Sequence, residues 1–76
     1  MSLSKEEFCA KVGCQVRKLR LEKQLSIEEL ALDAGMEYTQ LSRIELGRIN
    51  TSIYQIYKIS KSLDVTIPQI FYDIQK

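Results

Sequence analysis

A chain of 76 residues, 45% of them hydrophobic, is one domain's worth of sequence, near the lower size at which an apolar core suffices without disulfides or metal. One Pro and three Gly argue against a disordered tail, no run approaches about 18 apolar residues, and the opening Met-Ser-Leu-Ser-Lys-Glu-Glu lacks the basic-then-apolar order of a signal peptide. Eleven Lys/Arg against ten Asp/Glu leave a net charge of +1, too little by its sum alone to attract phosphates, so the distribution of charge matters more. A cytoplasmic protein with no membrane segment is expected.

Four Ser or Thr residues, each opening an apolar-periodic segment, are followed three positions later by Glu or Gln: Ser4/Glu7, Ser26/Glu29, Ser52/Gln55 and Thr66/Gln69. Each is a capping box that marks a helix start. Helix 1 is expected from about Lys5 to Lys23, with Phe8, Val12, Val16 and Leu19 as an apolar stripe at helical spacing. Arg17, Lys18, Arg20 and Lys23 cluster late in it. Cys9 and Cys14 lie five apart on this helix and so face different ways, which rules out a bridge between them. With no His to complete a metal set, they read as structural or incidental.

Helix 2 is expected over Ile27–Ala34, a tight turn at Gly35, and helix 3 from Tyr38 to Leu46, stopping at Gly47 in a left-handed conformation. Glu28, Glu29 and Asp33 make helix 2 acidic. Leu30, Leu41 and Ile44 would bury helix 3 against the core, and Ala31 is small enough for two helices to cross closely. Helix 4 follows over Ile53–Leu63 around Ile56, Ile59 and Leu63. Helix 5 begins after Thr66 with Pro68 in its first turn and Ile67, Ile70, Phe71 and Ile74 as its apolar residues. The fold class is all-α, five helices with short loops.

The segment Ser26–Gly47 has the outline of a helix-turn-helix, which places one short helix in the DNA major groove. Arg-Lys-Leu-Arg at 17–20, Leu-Ser-Ile-Glu-Glu-Leu-Ala at 25–31, Ala-Gly-Met at 34–36, Leu-Ser-Arg-Ile-Glu-Leu-Gly at 41–47 and Leu-Asp-Val-Thr-Ile-Pro-Gln-Ile-Phe at 63–71 resemble the Cro/repressor (XRE-type) helix-turn-helix family. The resemblance runs from about Val12 to Phe71, with the motif itself at 27–46, and is to compact single-domain members, including phage repressor domains and restriction–modification controller proteins. It implies a single lambda-repressor-like DNA-binding domain over residues 1–76.

By the same resemblance Tyr38, Thr39 and Arg43 occupy positions that reach base edges, and Arg43 can donate two hydrogen bonds to guanine. Gln40 and Ser42 lie on the same exposed surface as backbone or mixed contacts. Phosphates are expected at the amides of Ser26 and Ile27, where helix 2 opens with its positive end, and at Arg17, Arg48 and Asn50. Arg20 and Glu45 stand where the family commonly holds a structural ion pair. Three residues depart from the family's habit: Ile27 for Gln, Glu37 for a Ser or Thr cap, and Gln24 for Gly.

One short helix reads few base pairs, and such domains usually pair, with recognition helices about 34 Å apart on a pseudo-palindromic operator. Tyr54, Tyr57, Ile67, Tyr72 and Ile74 either cover the core or form that homodimer face. The expected function is a repressor or controller of transcription that binds double-stranded DNA and blocks or contacts RNA polymerase. An antitoxin or protein-interaction adaptor is the alternative. An enzyme is not expected: there is no His, no nucleophile with a recognisable base, no Gly-rich phosphate loop and no metal cluster. No cofactor is expected and, without a second domain, no small-molecule ligand.

Overall fold

Polar caps at one end and left-handed stops at the other divide the chain into α1 (Lys5–Glu22), α2 (Ile27–Ala34), α3 (Tyr38–Glu45), α4 (Ile53–Leu63) and α5 (Ile67–Ile70). The computed structural model describes residues 2–72 and residue 74. Ser4, Ser26 and Thr66 form complete capping boxes with Glu7, Glu29 and Gln69. Ser52 gives only half of one: its hydroxyl accepts from the Gln55 amide at 3.1 Å, but the Gln55 side chain does not return, and its Oε1 is buried without a partner. Glu37 opens α3 without any side-chain cap.

The Glu7 and Glu29 carboxylates accept the amides of Ser4 and Ser26 at 2.9 and 2.8 Å, and those hydrogen bonds hold both pKa values below the usual 4.5. A carboxylate whose folded pKa is depressed adds stability above its ordinary pKa. That contribution is lost as the pH falls through the lowered value.

Helices α1 to α4 all end alike. Gln24, Gly35, Gly47 and Asp64 adopt φ of 60°, 68°, 72° and 56°. Each donates its amide to the carbonyl three residues back, and the next amide reaches back five, as in Gly47 to Ile44 (3.0 Å) and Arg48 to Arg43 (2.9 Å). This is the Schellman stop, which satisfies the last carbonyls of a helix. In three of the four the following residue is a half-buried hydrophobe packed on the core: Leu25, Met36 and Val65. At the fourth it is the exposed Arg48.

α1 and α3 each finish one residue earlier than the sequence pattern suggests, because Lys23 and Leu46 already belong to the stop. A left-handed conformation costs a side chain about 1–2 kcal/mol. Gln24→Gly is therefore expected to stabilise the domain by about 0.5–1 kcal/mol after the greater chain entropy of Gly is subtracted. A thermal melt checks it, and an unchanged or lower midpoint would refute it.

The core is formed by Val12, Val16 and Leu19 of α1, Leu30, Ala31 and Ala34 of α2, Leu41 and Ile44 of α3, Ile56, Ile59 and Leu63 of α4, with Ile70 and Ile74 closing one end. Phe8 is not part of that stripe: it stays 37% exposed and stacks on Phe71, ring centroids 6.1 Å apart. Of the two readings of Ile74, the core holds and the dimer face does not. It is 3% exposed, packed in the core of its own chain, and so is unavailable to a second copy. Ile67, three residues before the buried Ile70, is exposed instead.

Candidate nucleic-acid interface

Eight residues are too few to hold a helix in water, so α3 depends on what it is packed against. Its inward side, Leu41, Ile44 and Glu45, is buried. Its outward side presents Tyr38, Thr39 and Arg43, with Leu46 just beyond the last turn. Thr39 and Arg43 are one turn apart and share a surface, as are Tyr38 and Ser42. Gln40 and Ser42 are half-buried at the edges of this surface.

α3 is fixed from beneath by α1. Arg20 Nε and Nη2 donate to Glu45 Oε2 and Oε1 at 2.7 and 3.0 Å, a two-pronged pair with both residues buried. The remaining arm, Nη1, donates to the Leu25 carbonyl at 2.7 Å, immediately before the residue that caps α2. One guanidinium thus ties the end of α3 to the start of α2. Among the described residues this is the one ion pair.

The second fixing point is steric. A methyl group at Gly13 would run into the Ile44 carbonyl oxygen and lie 2.7 Å from that of Glu45, while one at Gly47 would lie 2.5 Å from the Ala10 Cα. Ala10 and Gly13, one turn apart, make a strip on α1 onto which the carbonyl end of α3 settles. The sequence pattern alone does not single out Gly13. Its signal is that small-residue spacing, one turn apart on a long helix.

At the start of α2 the Ser26 amide is already bonded to Glu29 Oε1, so of the two amides expected to meet phosphate only that of Ile27 has no hydrogen bond among the described residues. Glu28 and Glu29 add negative charge to the same turn. Arg17, Arg48 and Asn50 are exposed. On the α4–α5 side, Tyr54, Tyr57, Ile67 and Tyr72 are exposed, and the Tyr54 and Tyr57 rings stack at 6.0 Å. Lys58 Nζ lies 5.6 Å over the Tyr54 ring and donates to the Gly35 carbonyl at 3.3 Å. It supplies the cation that the last turn of α2, which carries Asp33 and no base, lacks.

A family model described as helix-turn-helix, HTH_3, matches residues 16–70. The chain is 40% identical over 65 residues to the control protein C.MunI of Mycoplasma sp, spanning 84% of this chain and 88% of that protein. It is 44% identical over 54 residues to the control protein C.BamHI of Bacillus amyloliquefaciens, spanning 70% and 67%. Among solved structures, the restriction-modification controller protein C.AhdI of Aeromonas hydrophila superposes with a TM-score of 0.81 at 33% identity, covering 83% of this chain and 96% of that one.

Proposed function

The chain belongs to the helix-turn-helix (HTH_3) family of DNA-binding transcriptional regulators, and from that premise we propose that it is a controller that inserts α3 into the major groove of a double-stranded operator. What carries the proposal is a short helix whose buried side is fixed by Arg20 and Gly13 and whose free side holds Tyr38, Thr39 and Arg43. Such a helix presents its donors without having to be ordered on binding. Arg43 takes guanine O6 and N7. Tyr38 and Thr39 take a thymine methyl or an adjoining phosphate, with Gln40 and Ser42 at the edges. The Ile27 amide, Arg17, Arg48 and Asn50 hold the backbone and set the register.

Two copies bind together, joined through Tyr54, Tyr57, Ile67 and Tyr72, so that two α3 helices lie about 34 Å apart on an inverted repeat. From the operator the dimer blocks RNA polymerase or contacts it. In sedimentation the mass is expected to double with concentration; a mass that stays monomeric would overturn the dimer.

Selection from a random DNA library is expected to enrich an inverted repeat with wild type. With Arg43→Ala one guanine preference should disappear, at a cost of about 1–3 kcal/mol. Affinity should fall steeply with salt, and Arg48→Gln should reduce that slope by about one. A second reading, a protein as the main ligand, draws on the Glu28, Glu29 and Glu37 carboxylates at the openings of α2 and α3. No enrichment even at low salt would favour it.

A further inference from the structure

Two clefts meet where the N-terminal half of α1 faces the linker from α3 to α4. The first, about 140 Å³, is walled chiefly by Phe8, Val12, Ile49, Ile53, Ile56 and Phe71. The second, about 190 Å³, is bounded by Lys5, Glu6, Gly47 and Arg48. They share Cys9, Ile49 and Asn50, so they abut. We propose that this double cleft binds a small amphipathic anion, an aromatic or branched-chain carboxylate, its apolar body in the first cleft and its head against Lys5, Arg48 and Asn50.

Size and lining select the body. An apolar cavity of about 150 Å³ takes up benzene, so the first cleft has room for one ring or one branched chain. Its rim is left apolar by the fold itself: Phe8 is 37% and Ile53 88% exposed, and neither belongs to the core or to the proposed dimer face. Charge selects the head. Lys5 and Arg48 form no ion pair among the described residues, and a guanidinium matches a carboxylate with two parallel hydrogen bonds. Asn50 adds an amide donor. The Glu6 carboxylate on the same wall leaves a net single positive charge, which favours a monoanion over a dianion such as phosphate.

The consequence for DNA rests on the operator-binding reading above. Arg48 and Asn50 are assigned there to the DNA backbone, so a ligand that occupies them releases the operator. The helix-turn-helix domain would then carry an effector site of its own, contrary to the expectation from sequence.

Phenylacetate is the probe, with toluene as a body without a head and acetate as a head without a body, each titrated into the whole isotope-labelled chain and followed by NMR. Phenylacetate is expected to move the Phe8, Ile49 and Ile53 signals and the Arg48 side-chain signal together, saturating at about millimolar concentration as befits about ten heavy atoms. Toluene should move only the apolar set, and acetate neither. Arg48→Gln should weaken phenylacetate about tenfold, as two charge-assisted hydrogen bonds give way to a neutral amide donor, and leave toluene unchanged. Equal affinity for toluene and phenylacetate, competition by inorganic phosphate as strong as by phenylacetate, or shifts that never saturate would each overturn the site. If phenylacetate saturates the cleft of wild type yet operator affinity is unmoved, the anion site stands and the backbone role of Arg48 and Asn50 falls.

Discussion

Gly13→Ala is expected to lower the stability of the domain by about 3 kcal/mol or more, and its melting midpoint by about 15 °C. The added methyl meets the carbonyl oxygens of Ile44 and Glu45, which are backbone atoms at the end of a helix and cannot rotate away as a side chain would. The strain can be relieved only by lifting α1 off α3, which would separate Arg20 from Glu45 as well. Against a total stability of about 5–15 kcal/mol this is a large fraction. Gly35→Ala is the contrasting control: its φ of 68° disfavours a side chain, a handicap the helical Gly13 does not share, but a methyl there meets nothing within 4 Å, so the cost should stay near 1 kcal/mol. Melts followed by circular dichroism check both, and equal losses at the two sites would refute the steric account.

Glu45→Ala should cost about 3–5 kcal/mol, because it leaves the buried Arg20 guanidinium with only the Leu25 carbonyl. The informative variant is the double replacement Arg20→Met with Glu45→Leu. A buried ion pair exchanged for apolar groups of similar volume is often nearly neutral, so the double variant is expected within about 2 kcal/mol of wild type. Urea unfolding with a constant slope measures each, and a double variant as unstable as Glu45→Ala would show that the lost packing, not the stranded charge, sets the cost. The third Arg20 bond, to the Leu25 carbonyl, is also lost in the double variant. Its operator selectivity should therefore relax even where its stability recovers, because α2 and α3 are no longer held to one another.

Helix positions were legible in the sequence wherever the deciding interaction is local. Ser4, Ser26, Ser52 and Thr66 each accept an amide three residues on, and the caps and apolar spacing place all five helices to within a residue at the bounds expected for them. The outward surface of α3 follows from the same periodicity, since burying Leu41 and Ile44 turns Thr39 and Arg43 outward.

What local pattern does not carry is competition and distance. Ser26 matches both a capping box and a phosphate-binding amide, and one N–H cannot serve both; the Glu29 carboxylate holds it. Ile74 has the spacing of either a core or a surface residue, and only its burial in the core cluster decides. Gly13 in mid-helix reads as a weak point until α3, about thirty residues further on, is laid across it.

The repeated stop at the ends of α1 to α4 bears on the order in which the chain acquires structure. Each of these helices carries its own stop, and all but α3 a side-chain cap at the start, so single turns can form transiently as they emerge during synthesis, before any partner helix exists. The contacts that require the whole motif, Arg20 with Glu45 and Gly13 beneath the end of α3, join segments at least 25 residues apart and cannot close until α3 has followed α1. The surface proposed to meet DNA is thus assembled later than the turns that compose it. A nascent or partly unfolded chain would hold transient turns but no competent reading head.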